Sequence, residues 1–439
     1  MSAPLFAKPG PAARLWIKGA RVLDPCEGID ACLDITVEDG VIARIEPSGS
    51  IRAVNGHRVV EASGLVLASA FVDPHVHLRT PGREDEETIA SGTAAAAAGG
   101  YCAILAMPNT DPIVDSAAVL GALVELARAE AAIPTGFMAA ISKGQAGGEL
   151  TEMAELADAG AAGFTDDGRP VVAAGLLRRA LQYGAVAGRP IALHCEESTL
   201  SRDGQMHEGA VSAELGFTGY PSVAESAMVG RDLALAAYED RPVHVMHVSA
   251  RESVELLRRA QAAGLAATAE VTPHHLCLTD EAVRSLDANV KMNPPLRAEE
   301  DRQALLAALR DGTIGAIATD HAPHARHEKD APFEAAPFGV TGLETAFAVL
   351  YTRLVEPGVL PLELVLERLS AGPAQALGLQ VPRIATGEPA NLVLLDLGAE
   401  WRVEESGFRS LSVNSWLLGE TLRGVVRLTV ASGQVAFEA

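Results

Sequence analysis

Five short apolar runs in this sequence each lead directly into histidine or aspartate, and this repetition constrains the fold more than any other feature. The segments that follow the runs are Asp73–Arg79, Asp166–Gly168, His194–Glu196, His247–Ser249 and Asp320–His324. Between the runs lie Ala- and Leu-rich stretches of helical character, such as Ser116–Ala132 and Gly175–Tyr183. Strands that alternate with helices predict a parallel sheet. In a parallel barrel the carboxyl ends of all strands meet on one face, which carries the catalytic residues.

The first of these segments contains a His-x-His pair. It follows Leu65–Val72, which is short, largely apolar and free of proline, as expected for a strand buried on both faces. Residues i and i+2 of a strand point to the same side, so His75 and His77 can reach one metal ion. The pair alone is a weak signal, because ordinary core or surface histidines are commoner than ligands. The four further strand ends make a shared metal site the better interpretation, since core packing does not explain them.

The composition is that of a large soluble enzyme. The chain has 439 residues, of which 48% are apolar, and its longest apolar runs are shorter than a membrane span. A net charge of −22 argues against nucleic acid or an anionic membrane as a partner. The charge does not exclude an anionic substrate, because a metal ion and a few arginines can dominate the field in a pocket. Five cysteines, an odd number, and an N-terminus without signal-peptide features predict a cytoplasmic protein.

Both ends of the chain have the pattern of short alternating strands. The predicted strands are Arg14–Lys18, Arg21–Leu23, Asp34–Val37 and Val41–Ile45 near the start, and Asn391–Asp396, Gly424–Val430 and Gln434–Phe437 near the end. Neither flank has enough strands for a core of its own, so we expect the two to pair into one small β-domain. The predicted division is 1–65 and 381–439 for the two parts of this domain, and 66–380 for a metal-dependent catalytic barrel. Within the barrel, the alanine run 94–98 predicts a closely packed helix.

Seven motifs, in a fixed order, connect the sequence to a known family. They are His75-x-His77-Leu78-Arg79, Met107-Pro108-Asn109-Thr110, Thr165-Asp166-Asp167-Gly168, His194-Cys195-Glu196, His247-Val248-Ser249, Asn293-Pro294-Pro295-Leu296-Arg297 and Asp320-His321-Ala322-Pro323-His324. The set resembles the dihydroorotases of the bacterial class I type, in the amidohydrolase superfamily, over nearly the whole chain. The resemblance implies an α/β fold: a distorted TIM barrel with a small β-sandwich built from both termini. That fold agrees with the architecture expected from the strand and helix pattern.

The resemblance also implies a zinc centre, with one or two Zn²⁺ per subunit. His75, His77 and Asp320 would hold the first ion, and His194 and His247 the second. Asp167 would bridge the two, where many relatives of the superfamily use a carbamylated lysine. Imidazoles and a carboxylate with an open position are typical of a catalytic rather than a structural zinc site.

Several neighbouring residues are not assigned to the metal. The spacing to His194 favours Asp167 over Asp166 as the ligand, so we expect Asp166 to be a structural hydrogen-bond acceptor. His244 is expected to be an ordinary core or surface histidine. His274 and His275 are expected to shape the end of the seventh strand, and whether either touches the site stays open.

The activity implied by the resemblance is the reversible, zinc-dependent conversion of N-carbamoyl-L-aspartate to L-dihydroorotate plus water, in pyrimidine biosynthesis. Asp320 would act as the catalytic base and then as the acid. The expected substrate contacts are His77, Arg79, Asn109, Asn293, His324 and the backbone of Phe338 and Gly339. Arg79 could instead form a structural ion pair, and Asn109 could belong to an ordinary turn. The sequence departs from the usual pattern at Thr80, where an acidic residue is common, and at Asn391, where relatives often have Asp.

Two alternatives compete with this interpretation. One is another cyclic amidohydrolase, a hydantoinase or allantoinase; these use the bridging lysine, and Asp167 with Arg79 and His324 counts against them. The other is a catalytically inactive homologue that serves as a structural partner of aspartate transcarbamoylase. Such proteins lack the metal ligands, which are all present here. We expect a homo-oligomer, and the sequence leaves open whether full activity needs the transcarbamoylase and how many metal ions are bound.

Overall fold

The structure, a computed structural model, describes residues 3–52 and 56–439. In chain order the strands are β1 (Leu15–Asp24), β2 (Ile29–Glu38), β3 (Val41–Pro47), β4 (Arg58–Glu61), β5 (Val66–Ser69), β6 (Phe71–Val76), β7 (Tyr101–Ala106), β8 (Thr135–Ala139), β9 (Gly163–Phe164), β10 (Ala192–Leu193), β11 (Met206–His207), β12 (Gly219–Tyr220), β13 (Val243–Val245), β14 (Ala267–Val271), β15 (Ala316–Ile317), β16 (Leu392–Arg402), β17 (Thr421–Ala431) and β18 (Gln434–Glu438). The α-helices are α1 (Ile89–Ala98), α2 (Ala117–Glu130), α3 (Met153–Ala159), α4 (Ala174–Ala187), α5 (Ser198–Ser201), α6 (Ala210–Leu215), α7 (Val223–Glu239), α8 (Arg251–Ala262), α9 (Pro273–Cys277), α10 (Glu299–Asp311), α11 (Arg326–Lys329), α12 (Ala346–Leu350), α13 (Leu362–Leu369) and α14 (Ala371–Ala376). Short 3₁₀ turns lie at Lys143–Gln145, Asp280–Ser285, Ala288–Val290 and Glu405–Gly407, and a π turn lies at Tyr351–Val355.

In the described part of the chain, eight parallel strands close into a barrel. Strands β6, β7, β8 and β9 pair in that order, as do β10, β13, β14 and β15. Parallel bridges between Phe164 and Ile191, and between Val76 and His321, join the two halves into a ring. The barrel is distorted, since β9, β10 and β15 are only two residues long. The predicted TIM-barrel fold is confirmed.

The remaining long strands form the small domain. Within the described ranges its sheet has eight strands in the order β18–β17–β16–β5–β1–β2–β3, with β4 beside β1. Strands from the two ends of the chain meet where β5 pairs with both β1 and β16. A separate buried core contains Ile17, Ile35, Leu67, Leu394 and Val430, so both flanks contribute to it. This is the small β-sandwich expected from the two termini.

The run Leu65–Val72 is not one strand, as the sequence predicted, but two. Val66–Ser69 belongs to the small domain, and Phe71–Val76 is the first barrel strand. The change of sheet occurs at Ala70, whose N–H donates to the carbonyl of Asn391. The run is largely apolar because both strands are buried: Leu67 lies in the core of the small domain, whereas Val66, Ala68, Phe71 and Val72 lie in the larger core of the barrel. The domain boundary was predicted at residue 65, before β5. In the structure β5 still belongs to the small domain, and the change to the barrel occurs after it.

The predicted helices lie on the barrel. The stretches Ser116–Ala132 and Gly175–Tyr183 correspond to α2 and α4. The alanine run lies in α1, where Ala95, Ala96 and Ala97 are buried, because small side chains let this helix pack closely. Within the described ranges, none of the helices combines the length and the apolar composition that crossing a bilayer requires.

Candidate active site

Six predicted ligands converge at the carboxyl end of the barrel. They lie in or just after five different barrel strands: His75 and His77 at β6, Asp167 at β9, His194 at β10, His247 at β13 and Asp320 at β15. All six side chains are buried. Because the strands are parallel, residues far apart in sequence are brought to one point.

Two overlapping groups of side chains could each hold a metal ion. In the first, the ligand atoms of His75, His77 and Asp320 lie within 4.8 Å of one another. Asp320 Oδ1 is 3.0 Å from His77 Nε2 and 3.4 Å from His75 Nε2. The second group consists of His75, Asp167 and His247, with ligand atoms again within 4.8 Å of one another.

Asp167 lies between the two groups. Its Oδ1 is 3.5 Å from His194 Nδ1 and 3.7 Å from His247 Nε2, while its Oδ2 is 3.6 Å from His77 Nε2. His194 Nδ1 is also 2.9 Å from His247 Nε2, and its Nε2 is 3.1 Å from Glu196. One carboxylate thus faces histidines of both groups.

The chemistry of these donors fits a divalent cation. His75 Nε2 is buried and makes no hydrogen bond among the described residues, although the carboxylates of Asp167 and Asp320 lie 3.5 and 3.4 Å away. Burial alone lowers the pKa of His75, but Asp320 and Asp167 raise it well above its ordinary value. The two carboxylates therefore favour positive charge at His75 Nε2. Imidazole nitrogens and carboxylate oxygens are ligands that zinc accepts.

Asp320 is ionised in this environment. Burial raises the pKa of its carboxyl group, but His75 and His77 hold the pKa well below the usual range. Its backbone has a φ of 49°, and His247 and Arg79 have φ values of 32° and 55°. Positive φ is uncommon for residues other than glycine and is often found at functional sites. Three such residues lie at the same end of the barrel, which is the pattern expected of a functional site.

Glu270 is a residue of this site that no sequence motif indicated. It lies within β14, is fully buried, and contacts His75 Nδ1 at 2.8 Å and His244 Nε2 at 2.9 Å. Burial raises its pKa, but the hydrogen bonds with His244 and His75 lower it to about 2. His244, expected to be an ordinary core or surface residue, therefore supports the carboxylate that holds a candidate ligand. The signal in the sequence was an acidic residue inside an apolar strand, because a buried charge needs partners.

Asp166 has the structural role expected for it. Its carboxylate accepts hydrogen bonds from the backbone N–H of Ile141 at 2.8 Å and of Ser142 at 3.0 Å, and from the Ser142 hydroxyl. Asp73 plays a similar part between the first and last barrel strands, because it accepts from the Thr319 hydroxyl at 2.6 Å.

The residues predicted to bind substrate surround this centre in two sets. On one side Arg79 Nη2 is 3.4 Å from His324 Nε2, which is 2.8 Å from the carbonyl oxygen of Phe338. Gly339 has a φ of 125°, and a Cβ there would lie 2.7 Å from Ala322 Cβ and 3.0 Å from His324 Nε2. Only glycine allows the loop to approach His324 this closely.

The second set adjoins the candidate ligands. Asn109 Oδ1 is 2.9 Å from His77 Nδ1, and its Nδ2 donates to Asp167 at 3.3 Å. Asn293 Nδ2 donates to Glu196 at 3.0 Å, while Asn293 Oδ1 is buried with no hydrogen-bond partner in the described part of the chain. His274 Nε2 is likewise buried and unpartnered there, whereas the ring of His275 contacts Thr272 and the carbonyl of Pro294.

Two lysines that the sequence reasoning passed over hold the loop carrying Phe338. Lys291 Nζ donates to the carbonyls of Phe333, Glu334 and Ala336 at 2.6–3.1 Å. Lys329 Nζ donates to the carbonyls of Pro337 and Ala288 at 2.8 and 2.9 Å. The two ammonium groups therefore fix the loop through its backbone.

Comparison with known proteins identifies relatives of the whole chain. The model of the amidohydrolase family matches residues 66–436. The chain is 44% identical to the dihydroorotase of Geobacter sp. (strain M21), over 97% of this chain and 99% of that one. It is 43% identical to the dihydroorotase of Pelotomaculum thermopropionicum, with the same coverage of 97% and 99%. Among solved structures, an L-hydantoinase (dihydropyrimidinase) from Arthrobacter aurescens superposes with a TM-score of 0.86 at 26% identity, covering 97% of this chain and 96% of its own.

Proposed function

Because the chain belongs to the dihydroorotases of the amidohydrolase family, we propose that it uses zinc to interconvert N-carbamoyl-L-aspartate and L-dihydroorotate in both directions. A dihydroorotase is a cyclic amidohydrolase of pyrimidine biosynthesis. The observation that carries the proposal is the convergence of four imidazoles and two carboxylates at the carboxyl end of the barrel, where Asp167 and Asp320 face His75 Nε2. His75, His77 and Asp320 would hold one ion, His194 and His247 would hold a second, and Asp167 would bridge the two.

The proposed chemistry needs a nucleophile, a polarised carbonyl and a proton carrier. Zinc, when bound, lowers the pKa of water to about 7 and polarises a carbonyl oxygen. Asp320 takes the proton from the attacking water and delivers it to the ring nitrogen as the cyclic amide opens. The low pKa of Asp320, caused by His75 and His77, keeps it ready to accept that proton. In ring closure the same carboxylate moves the proton in the opposite direction.

Substrate recognition is assigned to the two sets of residues beside the metal groups. Arg79, Asn109 and His324 bind the exocyclic carboxylate of dihydroorotate, for which a guanidinium is well suited. Asn293 presents the unpartnered Oδ1 that a ring N–H can fill. The backbone of Phe338 and Gly339 adds further contacts to the ring amides. His77 reaches the substrate from the metal side.

A hydantoinase is the competing function, and the overall superposition on a hydantoinase gives it weight. According to the family resemblance, hydantoinases use a lysine as the bridging residue, where this chain has Asp167. This chain has five lysines, Lys8, Lys18, Lys143, Lys291 and Lys329. Lys291 and Lys329 donate to loop carbonyls, and Lys143 pairs with Glu149. The carboxylate of Asp167, the residue predicted to bridge in place of that lysine, faces His77 and His194, which supports the dihydroorotase assignment.

One experiment tests the proposal. Purified protein is assayed with dihydroorotate, carbamoyl aspartate and hydantoin, and the metal content of the same sample is measured. We expect turnover of the first two substrates and one or two zinc ions per chain. A preference for hydantoin, or full activity in metal-free protein, would overturn the proposal.

The cellular setting is also proposed. All five cysteines are free, which supports a reducing, cytoplasmic location. We expect a homo-oligomer, which light scattering would test. Whether aspartate transcarbamoylase is needed for full activity would be tested by assaying the enzyme with and without that protein.

A further inference from the structure

Glu86 connects Arg79 and His324, two of the side chains assigned to the substrate carboxylate. It lies in the loop after β6, and only 1% of its surface is exposed. Its Oε2 is 3.1 Å from Arg79 Nε, and its Oε1 is 3.1 Å from His324 Nδ1. We propose that Glu86 is a positioning residue that orients Arg79 and His324 to bind the carboxylate of the substrate. This inference rests on the proposed function.

The contacts of His324 show how Glu86 orients the imidazole ring. His324 Nδ1 faces the Glu86 carboxylate, and His324 Nε2 lies 2.8 Å from the carbonyl oxygen of Phe338. A carboxylate only accepts hydrogen bonds, so the contact with Glu86 places a donor at Nδ1. That contact fixes the orientation of the ring beside Arg79.

Glu86 also offsets the positive charge of Arg79 beside His324. Arg79 Nη2 is 3.4 Å from His324 Nε2, and both side chains contact the Glu86 carboxylate. That carboxylate contacts the guanidinium through Nε, so the terminal nitrogens of Arg79 would meet a second carboxylate, that of the substrate.

The same cluster is not a further metal site. The ligand atoms of Glu86, His324 and Glu328 lie within 4.8 Å of one another, which would suit a cation. However, Arg83 Nη2 is 2.7 Å from Glu86 Oε1 and 2.7 Å from Glu328 Oε1, and Arg79 contacts the other oxygen of Glu86. Two guanidinium groups already provide the positive charge, so the cluster is built to hold side chains in place.

Glu86 is itself held rigidly. Its backbone N–H donates to the carbonyl of Arg83 at 2.9 Å, and its carbonyl accepts from the Ser412 hydroxyl at 2.7 Å. The neighbouring Glu87 contacts His321 Nε2 at 3.2 Å and accepts from the backbone N–H of Leu411 at 3.1 Å. Support from both the barrel and the C-terminal segment fixes the carboxylate before substrate arrives, as preorganised recognition requires.

The test uses zinc-loaded protein and two substitutions. Glu86→Gln keeps the shape and removes the charge, whereas Glu86→Asp keeps the charge but is too short to contact both Arg79 and His324. We expect each to raise the KM for dihydroorotate by roughly tenfold, while kcat and zinc content stay within about twofold of wild type. Glu86→Gln would leave buried arginines without a charged partner and could therefore fail to fold. In that case Glu86→Asp, which keeps the charge, still tests the proposal.

A matched control and a double substitution separate positioning from general electrostatics. Asp85→Asn removes the same charge one residue away at an exposed position, and its KM should change by less than about twofold. In an Arg79→Met background, Glu86→Gln should raise KM by a smaller factor than in the wild type, because the two residues act together. Fully additive effects, or a lower KM in Glu86→Gln, would overturn the inference. Wild-type protein that binds zinc but does not turn over dihydroorotate would instead overturn the proposed function.

Discussion

Glu270 accepts a hydrogen bond from His75 Nδ1 at 2.8 Å, at the base of the candidate metal centre. Because the pKa of Glu270 is lowered to about 2, its carboxylate is ionised and the proton is on the histidine. The other ring nitrogen, Nε2, then points at Asp167 and Asp320. A carboxylate behind a metal-binding histidine fixes the orientation of the ring and makes it a stronger ligand.

The first prediction follows from this contact. Glu270→Gln should weaken zinc binding by about 10- to 100-fold, as for other residues that support metal ligands. Competition between the protein and a chromogenic chelator measures the affinity. Glu255→Gln, the same change at a position outside the site on α8, serves as the control and should bind zinc normally. Unchanged affinity in Glu270→Gln would mean that His75 is held by other contacts.

The sequence predicted the cluster of candidate ligands but not the residues that support it. His75, His77, Asp167, His194 and His247 each lie at a strand end, so local pattern was enough to group them. Glu270 lies inside a strand, and its partners His75 and His244 come from two other strands. The register between the barrel strands decides which buried side chains become neighbours. Composition does not specify that register.

Long-range contacts explain the other differences. Glu86 had no motif of its own, and it acquires its role only where the loop after β6 meets His324, 238 residues away in sequence. Lys291 and Lys329 likewise act through backbone carbonyls, which a sequence pattern does not reveal. The division of the run Leu65–Val72 into two strands is not visible in the sequence, because both strands are buried and burial in either core selects the same residue types.

A second prediction concerns the metal. Changing both His75 and His77 to Ala should abolish activity and zinc binding, while circular dichroism stays close to that of the wild type. The fold should survive because these side chains lie at the mouth of the barrel rather than in its apolar core. His327→Ala, at an exposed position nearby in sequence to His324, should keep both properties. Full activity in the double variant or after chelation would contradict a metal-dependent mechanism.

A third prediction separates the base from the ligands. Asp320→Asn keeps the size and much of the hydrogen bonding of the side chain but cannot accept the proton. Turnover should therefore fall by at least about 10², measured with saturating dihydroorotate and with zinc content determined in parallel. Asp330→Asn, at an exposed position, should have normal turnover. Near-normal turnover of Asp320→Asn with zinc bound would require another base.

A fourth prediction uses the pH dependence of stability. Burial raises the pKa of Glu344 to about 7, although the backbone N–H groups of Arg409 and Ser410 oppose the shift. Between the ordinary pKa of 4.5 and 7, the folded protein holds a proton that the unfolded chain releases. The contribution of Glu344 to stability is therefore present at low pH and is lost as the pH rises through 7.

Glu344→Gln removes this titration while keeping the shape of the side chain. The variant should have a higher free energy of unfolding than the wild type at pH 8. This difference should fall by on the order of 2–3 kcal/mol between pH 8 and pH 5. Urea denaturation of both proteins across this pH range measures the difference. The comparison cancels the titration of the histidines, which both proteins share. A difference that does not vary with pH would show that Glu344 has an ordinary pKa.

The final prediction concerns specificity, where a dihydroorotase and a hydantoinase differ most. Arg79→Met removes a charge-assisted contact to the exocyclic carboxylate, so the KM for dihydroorotate and for carbamoyl aspartate should rise roughly tenfold or more. Zinc content should not change, and any slow turnover of dihydrouracil, which lacks the carboxylate, should be nearly unaffected. Arg326→Met, which removes an exposed arginine, is the control. Equal losses on both substrates would make Arg79 a structural residue, and a wild-type preference for hydantoins would overturn the proposed substrate itself.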